Sequence, residues 1–164
     1  METAAIIQLL SDKFPKGVLH AELEVKQPYI EVSPVHLLEM ANSLLTDERL
    51  YFDFLHCISG VDYGEKSERL GLVYHLSSLI HEHQLVLKVH VDRKNPQLVP
   101  SLSGVWKAAD WHEREAYDLL GIPFEGHPDM RQILLPDDWE GHPLRKDYVE
   151  PESYHGIKIK YEDD

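Results

Sequence analysis

The chain has 164 residues, enough for one domain with a proper core and too few to expect two. Its 29 acidic and 16 basic residues give a formal charge of −13. This excess argues against nucleic acid or an anionic membrane surface as a direct partner, because clustered Lys and Arg bind both. A single cysteine, Cys57, excludes an intramolecular disulfide and falls short of the thiolates that an iron–sulfur cluster or a usual structural zinc site requires.

The N-terminal stretch Met1 to Ile7 lacks the basic and long apolar regions of a signal peptide, and no run approaches the ~18 apolar residues of a membrane span. A soluble chain without direct membrane insertion is expected. Ile6, Ile7, Leu9, Leu10 and Phe14 predict a first helix ended by Pro15 and Gly17. Strands are expected over Val18 to Val25 and Tyr29 to Val32, separated by the turn signal Gln27-Pro28. Ser33-Pro34 reads as N-cap and first position of a second helix, whose apolar residues Leu37, Leu38, Ala41, Leu44 and Leu45 recur at helical spacing.

Three strands follow, Tyr51 to Val61, Leu70 to Leu79 and Leu85 to Val91. In the last, Leu85, Leu87, Val89 and Val91 share one face and Lys88 and His90 the other, the pattern of a half-buried strand. The linkers Asp62-Tyr63-Gly64 and His81-Glu82-His83 are short enough for antiparallel hairpins, with the two histidines at a solvated tip. Cys57 lies in an apolar strand pattern and is expected to be a buried, inert thiol.

A third helix is predicted to begin near Ser101 or Ser103, after Pro100, and to end at Leu120 with Gly121 just past its last turn and Pro123 beyond. Trp106, Ala109, Ala116, Tyr117 and Leu120 form its apolar stripe, and Glu113 falls inside that stripe. A carboxylate there is costly unless paired, and the expected partner is an Arg, with Arg131 the first choice over Arg114. Asp110, Arg114 and Asp118 are spaced to form a charged ladder on an adjacent face. Together these elements predict an α+β fold in one domain, order α-β-β-α-β-β-β-α, with helices packed on a largely antiparallel sheet over residues 1–121.

From residue 122 to 164 an extended arm, continuous with that domain, is expected, because Pro123, Pro128, Pro136, Pro143 and Pro151 break any period. Phe124, Ile133-Leu134-Leu135, Trp139, Tyr148, Tyr154 and Tyr161 give it much apolar and aromatic surface, so it should pack on its own domain or on a partner. It contains a near-repeat. Phe124-Glu125-Gly126-His127-Pro128 returns as Trp139-Glu140-Gly141-His142-Pro143, two rigid bends in which Gly allows positive φ and Pro fixes its own. Phe124 and Trp139 are candidate interface anchors, with Arg131, Arg145 and Lys146 placed to meet carboxylates, unless the aromatics fill the chain's own core.

The string Glu113-Arg114-Glu115-Ala116-Tyr117-Asp118-Leu119-Leu120-Gly121-Ile122, continued by Phe124, His127-Pro128-Asp129, Arg131 and Ile133-Leu134, closely resembles the signature of the thirty-kilodalton-subunit family of proton-translocating NADH:quinone oxidoreductase, respiratory complex I. Leu135 to Tyr148, including Trp139, His142, Arg145 and Lys146, resembles it as well. Met130 stands where that family usually has Leu, and Gln132 where it usually has a second Arg. The resemblance implies a non-catalytic, cofactor-free subunit of the hydrophilic arm in the quinone-reducing module. It would dock chiefly beside the neighbouring subunit with which some relatives are fused in one chain. FMN, iron–sulfur clusters and quinone would then lie on partner subunits, and the chain would sit peripherally at the cytoplasmic face of a bacterial cell membrane. The resemblance also implies an interface or structural role for Glu113, Arg114, Glu115, Asp118, Phe124, His127, Asp129, Arg131, Trp139, His142, Arg145 and Lys146, and no catalytic, cofactor or metal residue.

The residues alone agree by elimination, since Gly-rich phosphate loops and G-x-S-x-G are absent. They also leave two other readings open. One is a free-standing binding module whose arm folds over its own sheet. The other is a metal-dependent hydrolase built on His112, His127, His142 and nearby carboxylates, which would lack the H-E-x-x-H motif.

Overall fold

The computed structural model describes residues 1–64 and 66–159, so Tyr161 of the arm lies outside the described residues. Helix α1 (Thr3–Lys13) buries Ile6, Ile7 and Leu10 and stops before Pro15, which cannot continue it. Strands β1 (Val18–Glu22) and β2 (Tyr29–Val32) pair antiparallel. β1 ends three residues earlier than its apolar pattern suggests, because the Glu22 carboxylate accepts the Glu24 N–H and turns the chain away. Helix α2 (Pro34–Thr46) starts with Pro34 in its first turn and buries Leu37, Met40, Ala41 and Leu44, while Leu38 points outward.

Strands β3 (Phe54–Asp62), β4 (Arg69–Ser78) and β5 (His83–Asp92) form the two expected hairpins. β3 begins at Phe54 rather than Tyr51, since Leu50 and Tyr51 both donate to the Asp47 carbonyl in a turn that closes α2. The five strands lie in the order β1-β2-β5-β4-β3, and β2–β5 is the parallel pair in an otherwise antiparallel sheet. One face, with Ile30, Leu72, Tyr74, Leu87 and Val89, joins apolar residues of the helices in a single core. The opposite face is half-exposed and polar. Lys88 stands 3.3 Å over the Tyr29 ring there, and His90 lies 3.5 Å from Glu31.

Two expectations for the sheet need correction. Cys57 is half-buried rather than buried, because the irregularity between Leu55 and Cys57 turns its thiol to the open face, 3.6 Å from His75 Nδ1. His81 is exposed at the hairpin tip, but His83 is buried. It opens β5 on the inward side, where its Nε2 meets the Leu50 carbonyl at 2.6 Å and its ring packs on Phe52.

Helix α3 starts later than predicted, at Ala109 (Ala109–Leu120). The residues before it are used otherwise. Val99 and Pro100 form a short strand β6 (Val99–Pro100) parallel to β7 (Phe124–Glu125), and Ser101 N–H donates to the Glu125 carbonyl. Trp106, in the turn that follows, buries its ring and donates Nε1–H to the Phe52 carbonyl at 2.9 Å. α3 packs across β3, where the missing side chain of Gly60 leaves the space that Leu120 fills.

The end of β3 is fastened by Asp62, which is buried and accepts from Gly64 N–H at 2.8 Å, Arg93 Nη1 at 2.6 Å and Lys146 N–H at 2.8 Å. Arg93 also meets Asp147 at 3.0 Å, so one carboxylate joins a hairpin, the end of β5 and the arm. Removing one member of a buried ion pair strands the other in the interior. Asp62→Ala is expected to cost about 3–5 kcal/mol of stability. A loss below about 1 kcal/mol in urea titration would show the clasp to be energetically neutral.

Candidate interaction site

The arm leaves α3 at Gly121, whose φ of +70° closes the helix in a left-handed cap while its N–H returns to Ala116 and Tyr117 carbonyls. The chain passes through β7 and then runs along α3. Its two Glu-Gly-His-Pro bends both use a positive-φ glycine, Gly126 and Gly141. The His127 side chain is 0% exposed. Its Nδ1 accepts the Asp129 N–H at 3.0 Å, which leaves the ring proton on Nε2, 3.2 Å from the Asp110 carbonyl. His142 Nδ1 instead meets the Asp118 carbonyl at 2.9 Å, and Arg145 Nε donates to the Leu120 carbonyl at 2.7 Å. Imidazole and guanidinium thus cover the last turn of α3, where unpaired carbonyls and the helix dipole favour donors and cations.

Glu113 is 0% exposed, but its partner is not Arg131. Its Oε1 accepts the Leu102 N–H at 2.6 Å and its Oε2 the Ser101 hydroxyl at 2.6 Å. His127 Nε2 lies 4.0 Å away. Burial raises the Glu113 pKa to about 7, against the lowering effect of these hydrogen bonds, and Asp110 raises it further. Arg131 is exposed and pairs with Asp129, which lies within easy reach two residues away. That guanidinium holds the Asp129 carboxyl below its ordinary pKa.

The expected Asp110–Arg114–Asp118 ladder also does not form. Arg114 donates to the carbonyls of Arg131 and Gln132 and lies 5.6 Å from the Trp111 ring centre. Asp118 is buried, and its Oδ2 accepts N–H groups from Ile133, Leu134 and Leu135 at 2.8–3.0 Å. Helical spacing places these side chains on one face, but the arm lies over that face and supplies better partners in its unpaired amides and carbonyls.

Of the remaining residues, Phe124 is buried in the chain's own core and Trp139 is half-buried against Tyr154. Glu115 and Lys146 are exposed, and Asp129 is half-buried. His112, His127 and His142 do not converge on a common centre, and among the described residues no three His, Cys, Asp or Glu side chains are grouped to hold a metal ion. The outer surface of α3 and the arm exposes Trp111 (64%), Leu134 (62%) and Leu144 (57%). Sequence reasoning missed Ser101, Asp62, Arg93 and Trp111. Trp111 was findable, since a Trp two positions before Glu113 lies off the inward stripe.

A profile of the family described as respiratory-chain NADH dehydrogenase, 30 Kd subunit, matches residues 30–154. The chain belongs to this family. The match runs from β2 through Tyr154, so the 30 Kd subunit profile takes in most of the sheet, α3 and nearly all of the described arm. The chain is 48% identical to an NADH-quinone oxidoreductase subunit of Chloroherpeton thalassium over 156 residues, which is 94% of this chain and 64% of that protein. With the same-named subunit of Chlorobium phaeobacteroides it shares 41% identity over 162 residues, 98% of this chain and 96% of that one. The chain therefore spans just under two thirds of the first relative and nearly all of the second. Among solved structures, a chain of the membrane-bound sulfane sulfur reductase, an archaeal respiratory membrane complex, superposes with a TM-score of 0.76 at 21% identity, covering 98% of this chain and 95% of that one. That likeness is one of fold.

The geometry separates the roles of Glu113 and Arg131. Arg131→Ala should change stability by less than about 1 kcal/mol, as for other exposed pairs. Glu113→Ala, which strands a buried N–H and a buried hydroxyl, should cost about 1–3 kcal/mol for each group left unsatisfied. Equal losses in denaturant titration would restore the Glu113–Arg131 pairing.

A pH dependence follows from Glu113 as well. Its folded pKa is raised, so its protonated form favours the folded state and stability falls as pH climbs from the ordinary carboxyl range through about 7. Over that window the wild type should lose roughly 3 kcal/mol relative to Glu113→Gln, which cannot ionise. Parallel stability–pH curves for the two proteins would refute it.

Proposed function

We propose that the chain is a cofactor-free, non-catalytic structural subunit of the hydrophilic arm of a proton-translocating NADH:quinone oxidoreductase. In this reading it docks in the quinone-reducing module, beside the subunit with which some relatives are fused in one chain. The observation that carries this reading is family membership over residues 30–154, the segment that contains α3 and the arm. The lone Cys57 and the missing Gly-rich phosphate loops support placing FMN, iron–sulfur clusters and quinone on partner subunits. Among the described residues no helix is long and apolar enough to cross a membrane, which favours peripheral attachment through the complex, at the cytoplasmic face of a bacterial membrane.

The docking surface in this reading is the outer side of α3 and the arm. Trp111, stacked near Arg114, and the exposed Leu134 and Leu144 combine an aromatic ring, a guanidinium and apolar side chains, and aromatics with Arg are the types that dominate protein–protein hot spots. Their inward neighbours hold them in place, because Arg114 and Asp118 bind the arm backbone beneath.

A tagged copy at native expression should recover flavin- and cluster-bearing subunits from solubilised membranes. Trp111→Glu with Leu134→Glu should leave the melting temperature of the separate chain within about 2 °C of wild type while removing most of the assembled complex and its NADH:quinone activity. Full assembly with the double variant would refute the proposed surface, and recovery of the chain alone would refute the subunit role.

A further inference from the structure

Glu113 stands where four parts of the chain meet: its own helix, the turn after β6 through Ser101 and Leu102, β4 through Tyr74, and the arm through His127. The charged and titratable groups around it are few. Asp110 lies on its own helix, His127 comes from the arm, and Tyr74 comes from β4, fully buried and held well above the ordinary tyrosine pKa by burial and by Glu113. Among the described residues no Lys or Arg pairs with it.

The Ser101 hydroxyl has three neighbours. Ser103 N–H donates to it at 3.2 Å, Ser103 Oγ lies at 2.8 Å, and Glu113 Oε2 lies at 2.6 Å. A hydroxyl has one proton to give and two lone pairs to accept with. With one lone pair taken by the Ser103 N–H, two orders remain that satisfy every atom. If Glu113 is ionised, Ser103 donates to Ser101 and Ser101 donates to Glu113. If Glu113 is protonated, its O–H donates to Ser101 and Ser101 donates to Ser103. The Ser103–Ser101 chain reverses direction with the charge of Glu113, and it leads from a fully buried carboxyl to a half-exposed serine.

His127 lies on the other side. Its Nδ1 is committed to the Asp129 N–H, so the neutral ring carries its proton on Nε2, between the Asp110 carbonyl at 3.2 Å and Glu113 Oε2 at 4.0 Å. An ionised Glu113 competes with Asp110 for that N–H. A protonated Glu113 does not.

We propose that Glu113 is a reversible proton-binding site, filled through the Ser103–Ser101 hydroxyl chain, and that its charge state sets how firmly His127 holds the first bend of the arm against α3. This is a proton-linked device within the chain, and it stands whichever complex the chain joins. Two amides report on it directly, Leu102 N–H on Glu113 and Asp129 N–H on His127.

The test is a pH titration of the full chain by NMR, following the Glu113 side-chain carbonyl carbon together with the Leu102 and Asp129 amides. All three are expected to move with one midpoint near neutrality. Hydrogen-exchange protection of Asp129, corrected for intrinsic rates, should fall about tenfold across the transition. Ser101→Ala, which removes a hydrogen bond to the ionised form, should raise the shared midpoint by about one unit. Glu113→Gln should abolish the transition at both amides. If Glu113 titrates in the ordinary carboxyl range, if the amides do not follow it, or if the midpoint ignores Ser101→Ala, the proposal fails. Should Ser101→Ala not fold, the wild-type titration decides it alone.

Discussion

Helix α3 carries two carboxylates into the protein interior, and much of the C-terminal architecture follows from satisfying them without cations. A buried carboxylate costs several kcal/mol unless hydrogen bonds replace its lost water. Glu113 takes the Leu102 amide and the Ser101 hydroxyl, and Asp118 takes three successive arm amides. Asp62, at the end of β3, repeats the device with two amides and Arg93. Each acid therefore fixes the path of a segment with no regular structure of its own. The amides gain equally, since an N–H in an irregular segment that packs on a helix has no ladder partner. Part of the unusual acid excess is thus structural, and it points inward.

The same balance explains what could and could not be read from the residue order. Apolar periodicity located three helices, the two long hairpins and the half-buried pattern of β5, because those patterns record burial directly. It also marked Glu113 as a carboxylate in an apolar stripe that needs a partner. The choice of Arg131 failed because a sequence displays cations by name, whereas the amides of Leu102 or Ile133 look like any others until the chain path is known. Arg131 itself was satisfied at shorter range by Asp129. The late start of α3 has a related cause, since Val99 and Pro100 pair with Phe124 and Glu125, a contact between segments far apart in the chain. Asp62 escaped notice because an Asp before Tyr-Gly reads as turn chemistry, and it does accept the Gly64 amide, but Arg93 and Lys146 arrive from distant positions.

An arm held through its backbone differs from one held through a core. Its polar groups are used inward, on α3, so several of its apolar side chains are left outward, among them Leu134, Leu144 and Val149. Alternative placements of the chain would bury those side chains only by freeing the amides on Asp118. The outcome is an ordered surface with exposed apolar groups on a backbone already fixed, and a pre-ordered surface loses less conformational entropy on association. This is the property that a component of a large assembly needs, and it arises from polar contacts.

The near-repeat makes sense on the same frame. After Gly121 the chain returns through β7 to the start of α3, where His127 meets Asp110, and then runs along the helix until His142, Leu144 and Arg145 meet Asp118, Leu119 and Leu120 at its end. From Asp110 to Asp118 the helix rises about 12 Å, a span that six extended residues can cover. Ile133, six positions after His127, does reach Asp118. The two bends thus clamp opposite ends of one helix with the same residue types put to different uses. At the first turn the imidazole is sealed in the interior beside a carboxyl, committed to one tautomer and sensitive to that carboxyl's charge. At the last turn it meets a helix-end carbonyl next to a guanidinium, where the dipole favours it. The chemistry of each bend is decided by the end of α3 on which it lands, and that placement follows from the acids that hold the arm between them.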